Sequence, residues 1–124
     1  MNVIGLGVDV VDVARVETIL ERRPAWVGRI FSEAEIAHCE ASGHRGRCYA
    51  ARWAAREACA KALGGVPGGR WREIRVVRGT DGRVAIELDG RAAERAAAVG
   101  ADRVLVSFSH ERGVAVATCV AVGP

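Results

Sequence analysis

The chain has 124 residues, which is enough for one domain with a real core and too few for two. Hydrophobic residues make up 50% of the sequence but aromatic residues only 5%, so the core must consist mainly of Ala, Val, Ile and Leu. The net charge of +3 suits an acidic partner or a phosphorylated ligand and is too small to indicate a nucleic-acid-binding protein. The N-terminus lacks a basic leader, and no apolar run approaches the roughly 20 residues of a membrane span, so we expect a cytoplasmic protein without a membrane segment.

The first part of the chain predicts a buried strand followed by a helix. Residues 3–11 are apolar and are interrupted only by two glycines and Asp9, which is typical of a buried strand. Asp12 can cap a helix that starts near Val13 and ends before Pro24.

Two further helices are predicted in the middle of the chain. Ser32 begins the first of them, and Glu35 stands where a capping box places its carboxylate. The Ala-rich residues 48–63 predict a long helix that ends at a pair of glycines. A glycine-rich loop, residues 64–69, follows this helix.

The last third of the chain predicts four strands and one short helix. Residues 74–78 and 84–88 flank a Thr-Asp-Gly turn and predict a β-hairpin. Residues 91–99 predict the helix, and residues 104–109 and 114–122 predict a final pair of strands. Small residues occupy one face of the last strand, so the long helix can pack closely on it. We therefore expect the whole chain, 1–124, to form one α+β domain with a largely antiparallel sheet packed on one long helix plus shorter helices.

The four cysteines show no metal-binding or redox spacing. Cys39, Cys48, Cys59 and Cys119 contain no C-x-x-C pair and no His/Cys cluster. Cys48 and Cys59 both fall in the long predicted helix. We therefore expect free thiols in a reducing compartment.

A charged residue inside the first strand is the first candidate for chemistry. Asp9 would be costly in an apolar strand unless it is paired. The alternative to a catalytic role is a structural one, in which the carboxylate is bonded to backbone amides beside Gly7 or to Arg15.

The long helix carries an aromatic, an acidic and a basic side chain along one stripe. Trp53, Glu57 and Lys61 are spaced by four residues, and Arg52 lies on the neighbouring stripe. An exposed salt bridge of little energetic weight would explain this pattern. However, the stripe leads directly into the glycine-rich loop, and a lysine at a helix end followed by flexible backbone is a common way to hold phosphates. The spacing does not fit a Walker motif.

Two more pairs of polar residues are candidates. His110 and Glu111 lie at the end of a predicted strand, on opposite faces unless a turn intervenes, which does not support a Ser/His/Asp triad. A lone histidine at such a position is more often structural than catalytic. Arg15 and Arg22 give the first helix a basic face, which in most proteins is a solvated surface.

Five segments of the chain contain recognisable motifs. They are Gly5-Leu-Gly-Val-Asp9 with Arg15, similar to G-x-G-x-D…R; Phe31-Ser-Glu-Ala-Glu35, similar to F-[ST]-x-x-E; Tyr49 to Gly64, similar to F-A-x-K-E-A-x-x-K-A-x-G; Trp71-Arg-Glu-Ile74, similar to W-x-[DE]-I; and Ser107-Phe-Ser-His110, similar to S-[IL]-[ST]-H. In this order they resemble the motifs of the small holo-acyl-carrier-protein synthase family of 4′-phosphopantetheinyl transferases. Together these segments cover nearly the whole chain. Arg56 departs from the pattern, because the family has a lysine there and a planar guanidinium cannot copy the point contact of an ammonium group.

The resemblance implies a reaction and a set of roles. The enzyme would transfer the 4′-phosphopantetheine group of coenzyme A to a serine of an apo acyl carrier protein, in fatty acid or polyketide biosynthesis, and release 3′,5′-ADP. Asp9 and Glu57 would hold a magnesium ion, which typically takes one or two carboxylates together with phosphate oxygens and waters. Arg15 and Arg22 would bind the acidic carrier protein. Coenzyme A would be bound by Arg52, Lys61, Gly64, Gly65, Gly68 and His110.

Three points stay open at this stage. The base that deprotonates the serine is Glu35, Glu111 or a metal-bound water acting through either. The family is typically a homotrimer with sites between subunits, so a neighbouring copy would supply some ligands of coenzyme A. Two other functions also fit: a non-catalytic trimeric module that binds coenzyme A or a nucleotide, and an adaptor that binds an acidic protein through Arg15. A metal requirement would argue against the first, and an effect of coenzyme A against the second.

Overall fold

The computed structural model describes residues 1–124, with the exception of the side chain of Pro67. Each predicted helix and strand is present, α4 begins three residues before the predicted start, and the short helix α2 was not predicted. In chain order the elements are β1 (Asn2–Asp12), α1 (Val13–Arg22), α2 (Ala25–Ile30), α3 (Glu33–Ala41), α4 (Arg45–Ala62), two 3-10 turns (Pro67–Gly69 and Trp71–Glu73), β2 (Ile74–Arg78), β3 (Val84–Leu88), α5 (Gly90–Ala98), β4 (Arg103–Glu111) and β5 (Val114–Gly123).

The strands form two antiparallel sheets. The larger one has the order β1-β5-β4, so the last strand of the chain lies in its centre. Asp9 and Phe108 flank the same residue of β5, Ala117, on its two sides. The hairpin of β2 and β3 forms the second sheet. The predicted α+β fold with a largely antiparallel sheet on one long helix is confirmed.

Helix α4 packs across one face of the larger sheet at very short range. The alanines of α4 that face the sheet are fully buried, as are the small residues of β5 opposite them. A Cβ at Gly5 would run into the carbonyl oxygen of Ala62, and a Cβ at Gly7 would run into that of Ala58. These two glycines therefore let β1 approach α4 backbone to backbone. The next residue on the same face of β1 is Asp9, which this packing brings against the helix.

A buried ion pair joins α3 to α4. Ser32 and Glu35 form the predicted capping box: the Ser32 hydroxyl accepts from the Glu35 backbone N–H at 3.2 Å, and the Glu35 carboxylate accepts from the Ser32 backbone N–H at 3.1 Å. The same carboxylate accepts from both Nη atoms of Arg56, through Oε2 at 2.7 Å and through Oε1. Arg56 also donates from Nε to the carbonyl oxygen of Trp71 at 3.0 Å and lies over the ring of Phe31. The departure from the family's lysine therefore falls on a buried structural residue.

The expectation of four free thiols is wrong for two of them. Cys39 and Cys48 form a disulfide between the end of α3 and the first turn of α4. The short link between the two helices brings their Cα atoms to 5.4 Å, which is within the range that a disulfide spans. Cys59 and Cys119 are free thiols in the core. Within the part of the chain that the structure describes, no helix is both long and apolar enough to cross a membrane.

Candidate active site

The carboxylate of Asp9 lies between β1 and the last turn of α4. Only 12% of its side chain is exposed. Lys61 donates from Nζ to Oδ1 of Asp9 at 3.2 Å and to the carbonyl oxygen of Val8 at 2.9 Å. Oδ2 of Asp9 is buried and has no hydrogen-bond partner among the described residues. Lys61 is thus the ion-pair partner of Asp9, rather than Arg15 or the backbone amides beside Gly7.

Glu57, one helical turn before Lys61, completes a cluster with Asp9. Burial of the side chain raises the pKa of Glu57 to about 7, and hydrogen bonding with Asp9 and the negative charge of Asp9 contribute to the increase. The positive charges of Lys61 and Arg15 lower this pKa but do not cancel the increase. Two ionised carboxyl groups that are close enough to affect each other's pKa repel each other unless a proton or a cation lies between them.

The two carboxyl groups fit a hard divalent cation. Both offer oxygen atoms, and Oδ2 of Asp9 is buried without another partner. Magnesium is commonly held by one or two carboxylates, with waters and substrate phosphates in its remaining positions. Among the described residues, no third His, Cys, Asp or Glu joins Asp9 and Glu57.

A groove of about 200 Å³ leads to this cluster between α1, α2 and α4. Arg15 and Glu57 line it together with Trp26 and Trp53. The ring of Trp53 contacts Trp26 at a centroid distance of 5.6 Å and Trp71 at 4.9 Å. Of the two arginines assigned to the carrier protein, the structure therefore brings Arg15 to the acidic cluster. The other, Arg22, is exposed in the last turn of α1.

Arg52 lies in a second cavity of about 220 Å³ between α3, α4 and the hairpin, which Glu35 also lines. Its Nη1 donates to Sγ of Cys48 at 3.3 Å, and its buried Nε has no acceptor among the described residues. His38 and Arg78 line the same cavity. The charge of Arg52, followed by burial and the charge of Arg78, lowers the pKa of His38. Two arginines around one cavity outnumber its single carboxylate, that of Glu35, which Arg56 already pairs, and this favours an anionic ligand.

The structure removes Glu35 from the candidate bases. Its carboxylate is buried and is shared between Ser32 and Arg56. Burial alone would raise the pKa of Glu35, but the hydrogen bonds and the charge of Arg56, with those of Ser32, outweigh it and hold the pKa below its ordinary value. A carboxylate that is both inaccessible and stabilised in its charged form cannot take a proton from a substrate hydroxyl.

His110 and Glu111 lie away from the Asp9 cluster of their own chain. His110 lines a cavity of about 440 Å³ with residues of the first turn of α4, among them Arg47, and with Arg112. Arg47 and Lys61 are 14 residues apart on α4, which corresponds to about 21 Å along the helix axis. Glu111 is exposed, and its Oε1 lies 3.9 Å from Nε of Arg112. Within one chain, the structure therefore does not bring either residue to Lys61.

The glycine-rich loop begins where α4 ends. Gly64, Gly65 and Gly68 all have positive φ angles, of 76°, 118° and 65°, which other residues adopt only with strain. Gly64 and Gly65 line a cavity of about 270 Å³ with Arg95 of α5. The sequence analysis did not single out Arg95, because an arginine in a short amphipathic helix carries no distinguishing signal.

The chain is similar to known proteins over nearly its whole length. A family model described as the 4′-phosphopantetheinyl transferase superfamily matches residues 5–119. The chain is 46% identical over 125 residues to a holo-[acyl-carrier-protein] synthase of Anaeromyxobacter dehalogenans (strain 2CP-C), covering 98% of this chain and 97% of that protein. It is 41% identical to the synthase of Streptomyces coelicolor, covering 99% of this chain and 100% of that protein.

Solved structures show the same similarity. A holo-[acyl-carrier-protein] synthase from Neisseria meningitidis has a TM-score of 0.86 and 28% identity, covering 98% of this chain and 99% of that one. An ACPS–CoA complex from Chronobacterium ammoniagenes has a TM-score of 0.82 and 30% identity, covering 97% of both chains.

Proposed function

The chain belongs to the 4′-phosphopantetheinyl transferase superfamily, and we propose from this that it is a holo-[acyl-carrier-protein] synthase that transfers the phosphopantetheine group of coenzyme A to a serine of an apo acyl carrier protein. The observation that carries the proposal is the cluster of Asp9, Glu57 and Lys61 at the start of the glycine-rich loop. These three residues occupy the positions at which the family's motifs place its two acids and its lysine.

The reaction is a phosphoryl transfer. The serine oxygen forms a bond to the β-phosphorus of coenzyme A, the bond from that phosphorus to the bridging oxygen breaks, and 3′,5′-ADP leaves while the serine proton passes to a base. A magnesium ion held by Asp9 and Glu57 would neutralise charge on the pyrophosphate oxygens. Lys61 has three N–H donors, of which two are used within the chain, and 57% of its side chain is exposed. Its third donor can therefore bind a phosphate oxygen.

The cavities lined by Arg52 and by His110 are assigned to other parts of coenzyme A. Arg52, with His38 and Arg78 beside it, suits the phosphorylated nucleotide end, because its unpartnered Nε gains an acceptor there. Within one chain, His110 lines a cavity with the first turn of α4, whereas Lys61 lies in the last turn of that helix. If both bind one coenzyme A molecule, as the family resemblance implies, they come from two copies of the chain.

An exposed apolar sheet face supports a homotrimer. Leu6, Val8 and Val10 alternate along β1 on the face opposite α4 and are 66%, 53% and 64% exposed. Leu105 of β4 extends the same face. A continuous apolar surface of this kind marks an interaction site in a folded protein. We propose that it is the contact between copies, and that it brings His110 and Glu111 of one copy toward Lys61 of the next.

Mass spectrometry of the carrier protein tests the function. Purified chain, apo acyl carrier protein, coenzyme A and magnesium are mixed, and the carrier is weighed before and after incubation. We expect its mass to increase by one phosphopantetheine group, with no increase when magnesium is chelated. Binding of coenzyme A without any change in the carrier would instead support a non-catalytic coenzyme A-binding module.

Subunit mixing tests the shared site. Asp9→Ala and His110→Ala each remove one half of the site, so each variant alone is expected to be inactive or weak. In mixed trimers, sites that combine Asp9 of one variant with His110 of the other are complete, and activity should return. Failure of the mixture to recover activity, with subunit exchange demonstrated by native mass spectrometry, would show that both residues act within one chain.

A further inference from the structure

Helix α5 holds the beginning of the glycine-rich loop although it contributes no side chain to the Asp9 cluster. Arg95 donates from Nε to the carbonyl oxygen of Leu63 at 2.8 Å and from Nη2 to that of Gly64 at 3.4 Å. The last carbonyl groups of a helix lack partners within the helix, so these bonds fix the direction in which the chain leaves α4. Gly64 lies three residues after Lys61.

The 3-10 turn that follows the loop, Trp71–Glu73, is also held by α5. Oε1 of Glu73 accepts from the backbone N–H of Arg91 at 2.9 Å and from that of Ala92 at 3.2 Å. The carboxylate of Glu73 thereby caps the N-terminus of α5, whose own N-cap residue, Asp89, forms no side-chain capping bond. The carbonyl oxygen of Glu73 also accepts from the Asp89 N–H at 3.0 Å.

These contacts join α5 both to the start of the loop and to the turn that follows it. The Arg95 side chain binds the carbonyl groups of Leu63 and Gly64, where the chain leaves α4. Glu73, four residues after the loop, is bound by backbone N–H groups at the N-terminus of α5. We propose that α5 positions the glycine-rich loop against coenzyme A, and that Arg95 and Glu73 are the positioning residues. This inference rests on the proposed function, in which that loop approaches coenzyme A.

The first test compares Arg95→Ala and Arg95→Lys with Arg91→Ala as the matched control. Arg91 lies on the same helix, and its exposed side chain makes no hydrogen bond or ion pair among the described residues. Loss of two hydrogen bonds that order the loop should raise the KM for coenzyme A roughly tenfold in Arg95→Ala, while the KM for carrier protein changes less than about twofold. The ammonium group of lysine cannot reproduce the planar fork with which the guanidinium group of Arg95 reaches both carbonyl oxygens, so Arg95→Lys should give an intermediate increase. Arg91→Ala should match the wild type.

The second test uses Glu73→Ala and Glu73→Gln. Glutamine keeps an oxygen that can accept from the two N–H groups, so Glu73→Gln should retain most of the coenzyme A affinity that Glu73→Ala loses. Calorimetric titration with coenzyme A measures this directly, without turnover. Amide hydrogen exchange should accelerate over residues 63–70 in Arg95→Ala and Glu73→Ala and remain at the wild-type rate in Arg91→Ala.

The outcomes separate this inference from the proposed function. If the wild type binds coenzyme A but does not load the carrier, the proposed function fails, and the calorimetric comparison of the variants still decides the role of α5. An unchanged coenzyme A affinity in folded Arg95→Ala and Glu73→Ala would overturn the inference, as would a change confined to the KM for carrier protein. If an alanine variant does not fold, Arg95→Lys takes its place, and wild-type coenzyme A affinity in that variant would likewise overturn the inference. A wild type that does not bind coenzyme A at all would overturn both proposals.

Discussion

Arg56→Met should be among the most destabilising single substitutions in the chain. The Arg56 side chain is fully buried and gives both of its Nη atoms to the Glu35 carboxylate and its Nε to the carbonyl oxygen of Trp71. Methionine fills a similar volume, so the packing against Phe31 is largely kept. The substitution therefore isolates the loss of the charge, which leaves the buried Glu35 carboxylate with Ser32 as its remaining partner.

The expected loss is large compared with the stability of a domain of this size. Removing one partner of a buried ion pair costs about 3–5 kcal/mol. Natural domains have free energies of unfolding of about 5–15 kcal/mol, so the variant should be marginal, with a melting temperature lower by on the order of 10–20 °C. Glu35→Gln combined with Arg56→Met should recover much of this loss, because glutamine keeps the capping box with Ser32 and no unpaired charge remains.

Urea unfolding at neutral pH, followed by tryptophan fluorescence and far-UV circular dichroism, measures both variants. The pH dependence adds an independent check, because the pKa of Glu35 lies below its ordinary value of 4.5 in the folded protein. A carboxylate with a lowered pKa stabilises the fold at pH values above its unfolded pKa, and this contribution disappears as the pH falls through the folded pKa. The wild type should therefore lose stability below about pH 4.5 more steeply than the double variant. The reasoning would be refuted if Arg56→Met were within about 1 kcal/mol of the wild type, or if the double variant were no more stable than the single one.

Three further predictions concern the site and the disulfide. Asp9→Ala and Glu57→Ala should abolish transfer while unfolding remains cooperative. Magnesium with coenzyme A should raise the melting temperature of the wild type but not that of either variant. Near-normal turnover of either variant at modest magnesium concentration would contradict the metal assignment. Arg15→Glu should raise the KM for carrier protein and leave that for coenzyme A nearly unchanged, an effect that steady-state kinetics with each substrate varied separately can measure. An increase confined to the KM for coenzyme A would assign Arg15 to coenzyme A binding instead. Cys39→Ser, or treatment with a dithiol reductant, should lower the free energy of unfolding by about 2–3 kcal/mol, because the disulfide closes a loop with a sequence separation of 9 residues. Identical denaturation curves with and without reductant would refute the last prediction.

The elements that local sequence patterns specify were predictable. Apolar runs, glycine pairs and capping residues mark β1, α3 and α4 within windows of ten to twenty residues. The grouping of Glu57 and Lys61 follows from helical spacing alone. Their approach to Asp9 is less local and was predicted only through the family resemblance; it depends on Gly5 and Gly7, which let β1 pack on α4 backbone to backbone. Helix α2 was missed because its six residues are too few to show a helical period.

Contacts between residues distant in sequence were not predictable. The Cys39–Cys48 disulfide depends on how α3 and α4 are arranged, and a search for C-x-x-C spacing cannot detect a bond between two helices. The partner of Glu35 lies 21 residues away on another helix, so the sequence showed the capping box but not the ion pair that removes Glu35 from catalysis. Arg95 acts from α5 on backbone atoms of Leu63 and Gly64, and a side chain that binds backbone leaves no residue-type signature at its partner.

The order of motifs along a chain also does not reveal whether they meet within one copy. Lys61 and His110 belong to motifs that the family resemblance assigns to one ligand, yet Lys61 lies in the last turn of α4 and His110 lies on β4 in a cavity with the first turn of that helix, which leaves a gap between them. A helix that packs backbone to backbone on its strand, as α4 does on β1 through Gly5 and Gly7, cannot shift by several turns to close this gap. If the two side chains bind the same phosphates, the gap must be closed by a second copy. The exposed apolar face of β1 lies on the opposite side of the sheet from α4, so copies can associate there without disturbing the packing that positions Asp9.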